Sequence, residues 1–247
     1  MTRRNKLILL YLSVAVLCST FIALMVVVGR NIDATEKQDP FVNSGREEIF
    51  EWFPISTDLA GTNQDGEEIR LSSSRGKVTV INEFFTLCPT CMFRSGIELL
   101  ELYDTFKDDP NFLMVSISID PSNDSPGNMR HYARNLGAGS RNWWFLNAGD
   151  ARFTHDYLEK ELKFFAIRER TDPLEIEALG RYSHDMGYLL VNPGFTVIGK
   201  WPLFEAGSEE ARSRDPHLYQ HVKDELYRRI REELAKVAAE SRPASSR

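Results

Sequence analysis

The sequence predicts an α/β domain built on a central mixed sheet and carried behind one N-terminal transmembrane helix, and three observations predict it. Residues 78–119 read as strand, helix, strand: an apolar run at 78–85, then Ile97, Leu99, Leu100, Leu102, Tyr103 and Phe106 at helical spacing, then a second apolar run at 111–119. Near the C-terminus, apolar runs at 186–191 and 195–201 flank Asn192-Pro193-Gly194, a hairpin turn signal, and a long amphipathic helix follows. At the N-terminus, residues 7–29 are almost unbroken apolar sequence. At about 1.5 Å per residue this run is long enough to cross a bilayer core of roughly 30 Å.

The chain has 247 residues, 42% of them apolar and 27% charged, which suits one domain with extensions and a core that needs no disulfide staples. The net charge of −6 and the lack of a basic stripe argue against a nucleic-acid partner. Arg3, Arg4 and Lys6 precede the apolar run, whereas Asp33, Glu36, Asp39, Glu47 and Glu48 follow it. The positive-inside rule therefore places residues 1–6 in the cytoplasm, 7–29 in the cell membrane as a single-pass anchor, and the rest on the periplasmic, extracytoplasmic side. A cleaved signal peptide is the competing reading, but the run exceeds the usual apolar region and shows no clear small-residue cleavage site. Cys18 lies inside this run after the bulky Leu17, so it reads as a thiol in a membrane helix rather than a lipid attachment point.

Residues 30–48 are polar and acidic, with Pro40 and Gly45, and read as a tether. The folded domain is expected over 49–240, with a disordered tail at 241–247. From Phe53 onward, short apolar pieces broken by turns at 61–66 and 72–76 suggest an edge hairpin entering the sheet. After the strand at 111–119, Ser125 and Pro126 form a cap and first residue for the next helix. Residues 143–146 suggest a third strand, and 151–165 a helix with Tyr157, Leu158, Leu162 and Phe165 inward. The Arg- and Glu-rich stretch 166–182 around Pro173 reads as a solvated surface insertion. In the last helix, Asp215 caps, Pro216 opens, and Leu218, Val222, Leu226, Ile230 and Leu234 form one stripe.

The chemistry concentrates in Cys88-Pro89-Thr90-Cys91, at a junction from strand to helix. Thiolates at a helix's first turn are favoured by its exposed N–H groups, so this pair suits redox chemistry or a soft metal. Cys18 is the third and last cysteine, far upstream, which excludes a four-thiolate zinc site.

A cysteine pair after a central strand, with a closing hairpin and helix, is the order of a thioredoxin-like fold. The sequence Gly76-Lys77, the strand, Phe85-Thr86-Leu87-Cys88-Pro89, then residues 118–125 (Ser-Ile-Asp-Pro-Ser-Asn-Asp-Ser), then His184 nine residues ahead of Pro193, resembles the Sco/SenC family over about residues 53–201. These are membrane-anchored copper proteins of cytochrome oxidase assembly. The resemblance implies a copper site, Cu(I) or Cu(II), made by Cys88, Cys91 and His184, and a respiratory oxidase copper subunit as partner.

The family separates its cysteines by three residues and follows the second with proline; here two residues separate them and Met92 follows. The shorter spacing is that of thioredoxin-like reductases, so the alternative is a membrane-tethered thiol-disulfide oxidoreductase in which Cys88 attacks another protein's disulfide and Cys91 resolves the mixed disulfide. Against that, such reductases usually place a cis proline facing the pair, and this chain has Ser183-His184-Asp185 in that region. A non-catalytic redox or copper sensor is a second alternative. A peroxiredoxin is set aside because Thr86 stands two residues before Cys88, where that family's threonine stands three before. His131, His155, His217 and His221 read as surface residues, Met92 as core, and Asp120 and Asp124 as turn residues or neighbours of the metal site.

Overall fold

The computed structural model describes residues 4–5, 53–89, 95–138 and 142–241. The chain divides into two units, 1–48 and 49–247, and the architecture below is that of the second. The expected membrane segment at 7–29 and the tether lie outside the described residues. Among the described residues no helix is long and apolar enough to cross a membrane.

The first strands are β1 (Phe53–Pro54), β2 (Ala60–Asn63), β3 (Glu68–Arg70) and β4 (Val78–Phe84). A helix α1 (Gly96–Phe106) leads to β5 (Phe112–Ser118), and α2 (Pro126–Leu136) leads to β6 (Trp143–Asn147). Then come α3 (Ala151–Lys160), β7 (Arg168–Glu169), α4 (Pro173–Leu179), β8 (Tyr182–Ser183), β9 (Tyr188–Val191) and β10 (Thr196–Trp201). Two short helices, α5 (Leu203–Ala206) and α6 (Glu209–Arg214), precede the long α7 (Leu218–Glu240). The strands form an eight-stranded sheet in the order β1-β10-β9-β4-β5-β6-β2-β3, with β7 and β8 pairing apart. This is the expected mixed sheet with helices.

All seven residues of β4 and of β5 are buried, which is why their sequences are mostly apolar and show no solvent-facing alternation. Alternation along β4 sends Val78, Val80 and Phe84 to one core, beneath α1, α2 and α7, and Ile81 and Phe85 to the other. Burying each such side chain contributes about 1.5–3 kcal/mol. The same alternation puts Glu83 on the face of Ile81 and Phe85, in an interior position where a carboxylate is costly.

Topology then decides what meets at the sheet's edge. β4 pairs with β5 in parallel, so the loops that follow both strands emerge on one side. β9 runs antiparallel to β4, with Ile81 opposite Leu189, so the segment entering β9 returns to that side. The cysteine turn, the 119–125 loop and residues 183–187 are thereby gathered from distant parts of the chain.

Several local expectations are corrected. α3 stops at Lys160, and Phe165 is 61% exposed, because Lys163 adopts a left-handed φ of 59° that turns the chain out of the helical path. Asp215 does not cap the last helix; it ends α6, and its carboxylate takes the N–H of His217, the residue just before α7. Ser125 does cap α2, accepting from the Asn128 N–H, with Pro126 first in the helix. Ser241 still closes α7 through the Val237 carbonyl, and residues 242–247 of the expected tail lie outside the described residues.

Candidate functional site

Phe85-Thr86-Leu87-Cys88 turns sharply off β4, with the Cys88 N–H donating to the Phe85 carbonyl at 3.1 Å. Asp124, fully buried in the loop after β5, fastens this turn. Thr86 donates its N–H at 3.0 Å and its hydroxyl at 2.5 Å to Asp124 Oδ1, and Ser118 donates its hydroxyl to Oδ2 at 2.6 Å. Burial raises the Asp124 carboxyl above its ordinary range, opposed by the hydrogen bonds from Ser118 and Thr86. Of the two acidic candidates, Asp124 is thus the latch of the cysteine turn. Asp120 is turned into its own loop, where it accepts the Ser122 hydroxyl at 2.8 Å.

Cys88 is 4% exposed and disulfide-bonded. Cys91 and Met92 lie outside the described residues, as does the Cys88 partner sulfur. The neighbouring Leu87 is 65% exposed, so the apolar lip of the turn faces solvent while the sulfur beside it is shielded.

His184 arrives from the segment before β9. Its ring meets the Phe85 ring edge-on at 5.7 Å between centroids, and Cys88, Phe85 and Tyr182 belong to one apolar cluster. The imidazole Nδ1 lies 2.8 Å from the Asp185 carbonyl. A carbonyl only accepts, so Nδ1 carries a hydrogen, and in the neutral ring Nε2 carries the lone pair. That is the tautomer a metal-binding histidine needs. Described residues therefore supply a sulfur and an imidazole, a donor set that fits copper once the disulfide is reduced. Among the described residues no group of three His, Cys, Asp or Glu side chains forms a complete metal site, as expected where Cys91 is not described.

Behind His184 is a buried charged layer that the sequence reading missed. Glu83 Oε2 stands 3.4 Å from His184 Nδ1 and accepts the Asp185 N–H at 3.0 Å. Burial raises the Glu83 carboxyl, with His184 opposing and Asp185 adding to the rise. Asp185 is itself buried and paired with Lys200 of β10, and it takes the N–H groups of Phe165 at 3.0 Å and Gly187 at 2.8 Å. The signal available in the sequence was a glutamate in a strand whose residues are all buried.

The stretch 166–182 is more than the solvated face expected of it. α4 has no buried residue, and Leu174 is 76% exposed. Its base, however, packs on the cysteine turn: a Cβ added at Gly180 would come within 2.7 Å of the Phe85 ring and 3.1 Å of the Pro89 ring. Gly180 also has φ +81°, a conformation that side chains resist, so only glycine lets the chain at the end of α4 approach so closely. Arg170 holds the base by donating to the carbonyls of Leu179, Gly180 and Tyr182. His131, His217 and His221 are exposed as expected, but His155 is half-buried, 2.7 Å from the Ile119 carbonyl and edge-on to Tyr182.

With this geometry in view, the comparison with known proteins is decisive on one point. The SCO1/SenC family model matches residues 53–214, more than half of the chain. The chain belongs to the SCO1/SenC family. It is 27% identical over 138 residues to the SCO1 protein homolog of Bacillus subtilis (strain 168), covering 55% of this chain and 67% of that one. Two solved structures share the fold. One is BsSco, a member of the Sco family of cytochrome c oxidase assembly proteins described as having a disulfide switch, with 19% identity, a TM-score of 0.51, and coverage of 72% of this chain and 98% of that one. The other is ScoI of Arabidopsis thaliana with copper bound, with 16% identity, a TM-score of 0.50, and coverage of 69% and 99%. The SCO1/SenC match ends at Arg214, and α7 lies beyond it.

Proposed function

We propose that this SCO1/SenC protein is a membrane-anchored copper chaperone and thiol-redox protein that assists assembly of a copper site in a respiratory oxidase, with Cys88, Cys91 and His184 holding the copper in transit. The observation that carries the reading is that a shielded Cys88 shares an apolar cluster with Phe85, whose ring meets that of His184, and that the His184 Nδ1–H is engaged by the Asp185 carbonyl, leaving Nε2 of the neutral ring as the donor atom. Copper-bound ScoI of Arabidopsis thaliana supports it by fold.

The residues divide the work. Reduction of the disulfide frees two thiols, which lose their protons as they take Cu(I), a soft ion suited to sulfur. His184 adds a borderline nitrogen donor that extends the site to Cu(II). Asp124 keeps the turn from unfolding when the disulfide opens, because Thr86 stays fastened by both N–H and hydroxyl. Handing the metal on is ligand exchange with the sulfurs of the receiving subunit. The disulfide at Cys88 also favours a second use of the same sulfurs, the reduction of a partner disulfide by Cys88 with Cys91 resolving the mixed disulfide.

An anaerobic Cu(I) titration of the reduced domain, residues 49–247, against a competing chelator tests the copper role. One tightly held Cu(I) per chain, released on oxidation of the pair, is the expected result; no binding beyond that of a Cys88→Ser, Cys91→Ser control would leave thiol exchange as the function. The anchor and its direction rest on residues 3–29, and a phosphatase reporter fused after residue 50 is expected to be active outside the cytoplasm. A reporter active only inside would overturn that topology.

A further inference from the structure

We infer that Glu83 is a positioning residue for His184, a buried carboxylate whose function is to hold the imidazole ring in one orientation and one tautomer. The inference deepens the reading of His184 as a ligand and depends on it for its purpose, though not for its test.

Three observations on the structure carry it. Glu83 projects from β4 onto the face of Ile81 and Phe85, and its side chain is 0% exposed. Oε1 has no hydrogen-bond partner among the described residues, so the carboxylate's polar contacts there run through Oε2, to the Asp185 N–H and His184 Nδ1. A buried carboxylate with one orphan oxygen destabilises a fold, and an apolar side chain of similar volume there is neutral or better. What Glu83 gives in return is therefore not stability. It touches His184 and its successor through one oxygen: Oε2 accepts the Asp185 N–H and faces the ring nitrogen itself.

The Asp185 carbonyl at 2.8 Å alone would set the tautomer only while the 185–186 peptide that carries it stays in place. Glu83 anchors the preceding 184–185 peptide through the Asp185 N–H and offers Nδ1–H a second acceptor at 3.4 Å, so rotation of the ring would break its contacts with Glu83 and with the carbonyl together. The partner for Glu83 is thus orientation, in the manner of carboxylates that stand behind metal-binding histidines. Asp185, whose side chain is occupied by Lys200, Phe165 and Gly187, is not available for the same task.

The test uses the full chain in detergent with 15N-labelled histidine, metal-free, in alkaline buffer where imidazole is neutral. Wild type is expected to show His184 with Nδ1 as a protonated nitrogen and Nε2 as an unprotonated one. Glu83→Met is expected to melt at or above the wild-type temperature while both nitrogens of His184 move to averaged shifts. Glu83→Gln, whose amide oxygen can accept as Oε2 does, is expected to restore the wild-type pattern. Cu(II) affinity is the second readout, falling about 10–100-fold in Glu83→Met. Glu83→Leu gives the same reading should the Met variant not fold. A folded Glu83→Met or Glu83→Leu with the wild-type nitrogen pattern would overturn the inference, because the Asp185 carbonyl would then suffice. Since the nitrogen spectrum is read without metal, this failure is distinct from failure of the copper reading, which a lack of metal binding in wild type would show.

Discussion

His184→Ala is expected to lower Cu(II) affinity by more than about 100-fold, because loss of a direct donor exceeds the roughly 10–100-fold cost of losing a supporting contact. Disulfide exchange with a small-molecule substrate is expected to survive largely intact, since that chemistry needs only the sulfurs. The two outcomes separate the copper role from the thiol role on one variant. Cu(II) competition titrations and an exchange assay on the same preparation measure them. Tight, stoichiometric Cu(II) binding unchanged in His184→Ala would remove the imidazole from the site. The substitution opens space beside Phe85 and leaves Glu83 facing no imidazole, so melting temperatures should be read alongside.

The second large effect is on stability. Asp124→Ala removes the acceptor for the Thr86 N–H, the Thr86 hydroxyl and the Ser118 hydroxyl in a fully buried place. Leaving those donors unmatched should destabilise the domain by about 3–5 kcal/mol, a fall in melting temperature of about 10 °C. Asp124→Asn should lose much less, because its amide oxygen still accepts from Thr86 and the Ser118 hydroxyl can turn to accept from the amide. The asparagine variant also exposes a pH dependence. Burial raises the Asp124 carboxyl, so the folded state keeps a proton that the unfolded state has released. The contribution of that group is complete below the unfolded value, about 3.9, and declines as pH rises through the raised folded value. Asp124→Asn, which cannot titrate, should therefore gain on wild type as pH rises across that window. Urea midpoints at stepped pH measure it, and a difference that stays flat with pH would show that the carboxyl titrates alike in both states.

The loop that Asp124 fastens shows where sequence reading reaches its limit. The residues 118–125 were recognisable as a motif, and Ser125 and Pro126 as a helix start, because capping and turn chemistry act over a few residues. That Asp124 would reach Thr86, 38 positions away, follows only from the parallel pairing of β4 with β5.

The sequence by itself determined the order of the main strands and helices, without the short elements inside 166–182 and 203–214, placed the cysteine turn at the end of the central strand, and named His184 as the candidate histidine. Periodicity, turn residues and caps are local, so they survive being read one window at a time. The tertiary structure decided the rest: that Glu83, a glutamate in a buried strand, stands behind His184; that Lys200 and Asp185 pair; and that Gly180 brings the 166–182 insertion down onto Phe85 and Pro89. Each of these contacts joins residues separated by at least 15 positions, and each exists because an antiparallel or parallel register brought two chain ends to one edge of the sheet. Hydrophobic burial fixes such registers, since a slip of one residue would turn every core side chain to the wrong face.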